Sequence, residues 1–66
     1  MTQKELLYVE DAIGHENNII AIINENLNTL NDTALIAFMD NELKTHQKMK
    51  KDLINLLEDN TKWQIN

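Results

Sequence analysis

The chain is 66 residues long with 42% hydrophobic residues, one Gly, no Pro and no Cys, so it makes a single small domain without disulfides or a thiolate metal site, and its composition disfavours a turn-rich β fold. Net charge is −5, which works against a phosphate backbone as the main partner, because such binding depends on lysine and arginine neutralising phosphates. No run approaches the roughly 20 apolar residues of a membrane span, and no basic region followed by an apolar stretch marks a secretory signal.

The first predicted element is a helix over about 3–30. "TQKE" at 2–5 fits a capping box, with Thr2 accepting from the Glu5 amide and the Glu5 carboxylate reaching back to the Thr2 amide. Leu6, Val9, Ile13, Glu16, Ile20, Ile23, Leu27 and Leu30 then follow alternating steps of three and four, which line one face of a helix packed at a shallow angle. Glu16 is the polar member of that line.

"NTLNDT" at 28–33 interrupts the pattern with short polar side chains that favour caps and turns. The turn is expected at 31–33, with Asn31 in the left-handed conformation that often ends a helix and Asp32 or Thr33 capping the next one. Helix 2 is expected over about 34–60. Its seam reads Leu35, Met39, Glu42, His46, Met49, Leu53 and Leu56, widened by Ile36, Phe38, Leu43, Ile54 and Leu57. Residues 61–66 lose periodicity and are expected to fray, with Trp63 folding back on the end of the helices.

So short a turn makes the helices antiparallel. Centring it near Asn31 pairs Leu6 with Leu56, Val9 with Leu53, Ile13 with Met49, Glu16 with His46, Ile20 with Glu42, Ile23 with Met39 and Leu27 with Leu35. Two helices cannot cover an apolar stripe this wide. The expected architecture is therefore all-α, an antiparallel helical hairpin that forms a four-helix bundle as a C2 homodimer.

Two readings of the central layer stand side by side. In the first, Glu16 and His46 are a polar core layer joined by a charge-assisted hydrogen bond, which sets register and partner number. In the second, Glu16, Glu42 and His46 are metal ligands. A dimer then supplies four carboxylates and two imidazoles, the donor count of ferritin-like carboxylate sites, and such donors suit iron, manganese or zinc. The spacing departs from that pattern: "ELKTH" at 42–46 is Glu-x-x-x-His where those sites use Glu-x-x-His, a difference of about 100° around the helix.

Other motifs point to solvated surface. His15 and Asp11 read as a pair on the outer face, and Lys44, Lys48 and Lys51 form an outward basic stripe among neighbouring acids, so RNA binding is not expected. Ser/His/Asp and Cys/His arrangements and phosphate-binding glycine loops are missing, and Met39 and Met49 read as core filler. The chain is expected to be noncatalytic, with itself as partner.

From "DAIGHENNII" through "TALIAFMDNELKTHQKMK", Asp11 to Lys50, the chain resembles the CotF-like spore coat proteins of endospore-forming bacteria. Asp11, Glu16, Ile19, Asn24, Leu35, Asn41, Leu43 and His46 carry the likeness. The resemblance implies a ferritin-like helical module, a structural role among other coat proteins, and a place in the spore coat reached from the mother-cell cytoplasm. The tail "NTKWQIN" lacks the aromatic and Gly-rich character such proteins often have, and the chain has no Cys or clustered Tyr for cross-linking.

Overall fold

The computed structural model describes the backbone of residues 1–65 and the side chains of residues 1–59. Two helices, α1 (Gln3–Leu27) and α2 (Thr33–Ile65), pack against each other as an antiparallel hairpin. The hairpin measures 52 × 15 × 12 Å, two helices thick in one direction and one in the other.

The start of α1 is the capping box read from its sequence. Thr2 N–H donates to Glu5 Oε1 at 2.7 Å, and Glu5 N–H donates to Thr2 Oγ1 at 3.1 Å. The Thr2 backbone N–H, and after it the Thr2 hydroxyl, hold the Glu5 carboxyl below its ordinary range. Both bonds satisfy amides that the first helical turn leaves without partners.

The end of α1 departs from expectation. The helix stops at Leu27 rather than near residue 30, and no described residue has a positive φ, so Asn31 is not left-handed. Thr29 provides the alternative: its N–H and its Oγ1 both donate to the Asn26 carbonyl, each at 3.0 Å. A hydroxyl three residues on therefore helps satisfy one of the carbonyls that the last helical turn leaves without a partner. Asp32 caps α2 as expected, its Oδ1 accepting from Leu35 N–H at 2.9 Å. α2 continues to Ile65, past the end expected near residue 60, while the side chains of Trp63 and of the tail 61–66 lie outside the described residues.

On α1 the expected seam holds, with every member from Leu6 to Leu27 half-buried or buried, and Leu30 beyond the helix end is half-buried as well. Only Ile23 and Glu16, 5% and 7% exposed, count as buried among the described residues. On α2 the seam is displaced. Ile36, Met39, Glu42, Leu43, His46, Lys50, Leu53, Ile54 and Leu57 are half-buried, whereas the expected Leu35, Met49 and Leu56 are exposed. Both lines share Met39, Glu42, His46 and Leu53, so α2 has turned to one flank of its stripe; one facing helix covers only part of a stripe this wide.

Gly14 sits mid-helix on the exposed side with ordinary φ, and a Cβ there would meet nothing within 4 Å. Its flexibility therefore serves no contact. Gly14→Ala is expected to raise stability by about 0.5–1 kcal/mol, read as a higher urea midpoint at unchanged slope.

Candidate functional site

Three polar side chains meet at mid-height of the hairpin. α1 brings Glu16 inward because the three-and-four spacing puts it in line with Val9 and Ile23, and α2 brings His46 in line with Met39 and Leu53. Their contact is 2.5 Å from His46 Nδ1 to Glu16 Oε2. Glu42, one turn earlier on α2, has Oε2 3.7 Å from His46 Nε2.

The imidazole thus lies between two carboxylates with different roles. Nδ1–H donates to the buried Glu16, a short charge-assisted bond that fixes ring orientation and tautomer. At 3.7 Å the Nε2 contact with Glu42 is an electrostatic approach and not a hydrogen bond. With neutral imidazole, Nε2 keeps a lone pair facing the rim of the hairpin; with imidazolium, it completes an ion pair with Glu42. Exposure follows the same order: the Glu16 side chain is nearly covered, that of His46 is 20% exposed and that of Glu42 is 42% exposed.

The chain contains no Ser and no Cys, and the nearby Thr45 hydroxyl donates to the Asn41 carbonyl at 3.0 Å. Among the described residues of one chain, no group of three His, Asp or Glu side chains is arranged to hold a metal ion. The candidate ligands Glu16, Glu42 and His46 are brought together with the imidazole between the two carboxylates, Glu16 at Nδ1 and Glu42 nearer Nε2.

The remaining motifs lie on the surface. Lys44 pairs with Asp40 at 3.0 Å and Lys48 with Asp52 at 2.7 Å, so two of the three lysines in the basic stripe are matched by carboxylates one turn away. Such exposed pairs contribute little stability, but they lower the local positive potential. Asp11 and His15 border a shallow outer hollow with Glu10, Gly14 and Asn18. No helix among the described residues is long and apolar enough to cross a membrane.

A second feature adjoins the polar layer. Leu35, Phe38, Met49 and Leu56 continue the α2 stripe on one flank, and Tyr8, Ala12, Ile19 and Ile22 form its counterpart on α1. The two flanks open onto one face of the hairpin, as shown by a groove of about 410 Å³ that is lined jointly by Ala12 and Glu16 from α1 and Met49, Asp52, Leu53 and Leu56 from α2. Periodicity passes over Ala12, whose small side chain makes the hollow; the sequence signal is an alanine on the flank of an otherwise bulky stripe. No family model, curated protein or solved structure matches the chain.

Proposed function

We propose that the chain is a noncatalytic helical-hairpin module that pairs with a second copy into a four-helix bundle and acts as a structural or interaction element. The observation that carries this reading is the uncovered apolar face. A compact folded monomer of 7.7 kDa exposes about 4,300 Å² by surface scaling, whereas this hairpin exposes 5169 Å². The excess, on the order of 800 Å² over the whole surface, shows how little the two helices cover of each other, and a standard interface takes a similar area from each partner. With Ile23 as the buried hydrophobe among the described residues, the hairpin also lacks the core that stabilises domains of this size. The likeness of Asp11 to Lys50 to coat-protein hairpins supports the bacterial spore coat as the setting.

One observation favours a second reading, a metal-binding bundle. Metal-bound histidines commonly donate their other ring N–H to a carboxylate, as His46 does to Glu16, which leaves Nε2 facing Glu42. Two such pairs from two copies would give a four-donor site for zinc, manganese or iron. Sedimentation equilibrium at micromolar concentration, run with and without a chelator and with elemental analysis of the same sample, separates the readings. A dimer that persists metal-free is expected. Dissociation by chelator, with stoichiometric metal in the untreated protein, would transfer the case to the metal reading, and a chelator-insensitive monomer would end both.

A further inference from the structure

We infer that one hairpin by itself holds a divalent cation of the zinc class between His46 Nε2 and the Glu42 carboxylate, with Glu16 orienting the ring instead of ligating. This rests on the metal reading of the same layer and changes its terms: both protein donors come from α2 of one chain, so the site does not need the second copy.

The two donor atoms are spaced as a chelate and not as a hydrogen bond. Glu42 Oε2 lies 3.7 Å from His46 Nε2, which is too far for a hydrogen bond. A tetrahedral zinc with ligands at about 2.0–2.1 Å keeps neighbouring donor atoms about 3.3–3.4 Å apart. Glu42 can close the difference, because its side chain stands partly in solvent and has no other ion pair or hydrogen bond among the described residues. Lys44 and Lys48 do not compete for it, since each pairs with its own aspartate, Asp40 and Asp52.

The ring is already set for ligation. Buried Glu16 holds Nδ1 at 2.5 Å, and a carboxylate on one ring nitrogen fixes the tautomer that leaves the other free to bind a metal, and makes it a better donor. Charge matches as well, because two carboxylates beside a neutral imidazole leave two negative charges for one divalent cation to neutralise. Both donors reach the rim, so water completes the coordination, as in open zinc sites. An imidazole donor favours zinc over magnesium and calcium, which take oxygen ligands.

The chain carries the same spacing a second time and supplies its own control. Asp11 stands four residues before His15, as Glu42 stands before His46. His15 is exposed, and among the described residues no ion pair or hydrogen bond joins it to Asp11 or to α2. It lacks both the near carboxylate and the partner that orients the ring.

Calorimetric titration of the metal-free full chain with zinc chloride tests the site. One zinc per chain is expected, with no binding of magnesium. Glu42→Gln, and His46→Asn, whose amide still donates toward Glu16, are each expected to weaken zinc at least about tenfold, while His15→Asn leaves it unchanged. Nitrogen-15 NMR identifies the ligated atom: a zinc-induced shift at His46 Nε2 is expected, and one at Nδ1 overturns the inference. A loss in His15→Asn equal to that in His46→Asn overturns it too. One zinc for two chains, bound only by a dimer, overturns it in favour of the shared four-donor site. A dimer that binds no zinc overturns both metal readings and leaves self-association standing.

Discussion

Glu16→Ala is expected to lower the stability of the hairpin by about 2–3 kcal/mol, which for a domain of this size is a fall in melting temperature of about 8–24 °C. The physical reason is the 2.5 Å bond to His46 Nδ1 from a side chain 7% exposed. Hydrogen bonds to charged groups contribute about 1.5–3 kcal/mol, and breaking a fully buried pair costs more, about 3–5 kcal/mol. The lower range applies because the His46 side chain keeps 20% of its surface and can turn toward water once Glu16 is gone. Glu16→Gln, which preserves shape and still presents an accepting oxygen, is expected to lose about half as much.

The double replacement Glu16→Leu with His46→Leu separates strength from specificity. Removing both partners restores an apolar layer, and such exchanges are often neutral or stabilising by about 1–4 kcal/mol. Self-association is then expected to broaden into mixed states, since no layer any longer penalises a shifted register. Thermal unfolding of the two single variants and the double, at one fixed concentration, gives the coupling. If Glu16→Ala alone proved as stable as the parent, the pair would have no structural role.

Ile23→Ala is the second large effect, with an expected loss of about 2–4 kcal/mol. Ile23 is the most buried hydrophobe, 5% exposed, and the hairpin has no second buried apolar side chain among the described residues to compensate for the cavity. Its neighbour Ile22, 56% exposed, is the control. Ile22→Ala is expected to cost less than about 1 kcal/mol under dilute conditions, and to act chiefly on the concentration dependence of unfolding, because that side chain faces the surface proposed to meet a second copy. Denaturant midpoints measured at two well-separated protein concentrations distinguish the two residues. Equal effects would mean that exposure in the hairpin does not report where the core lies.

Much of the fold was legible because it depends on local chemistry and on counting. The Thr2–Glu5 reciprocal bonds follow from side-chain length and the unpaired amides of a first turn. The Asp32 cap follows from the same logic. The meeting of Glu16 with His46 follows from a short turn that allows only an antiparallel return, after which position along one helix dictates position along the other.

Local competition hid the end of α1. Asn31 was suited to a left-handed cap, but the helix ends earlier, at Leu27, where the Thr29 N–H and hydroxyl both donate to the Asn26 carbonyl, and which carbonyl a threonine hydroxyl meets depends on backbone geometry absent from composition. The rotation of α2 was hidden for a different reason. A stripe that includes Leu35, Ile36, Phe38, Met39, Leu43, Met49, Leu53, Ile54, Leu56 and Leu57 is wider than one facing helix covers.

The amino-acid order by itself determined two antiparallel helices, their caps at the start, and a carboxylate–imidazole layer at mid-height. Only the tertiary structure decided that Ile36, Leu43, Lys50 and Leu57 face α1 while Leu35, Met49 and Leu56 look outward, and that Ala12 leaves a hollow among them. Hydrophobic periodicity reports the angular centre of a broad apolar surface, whereas close packing selects which edge of it makes contact.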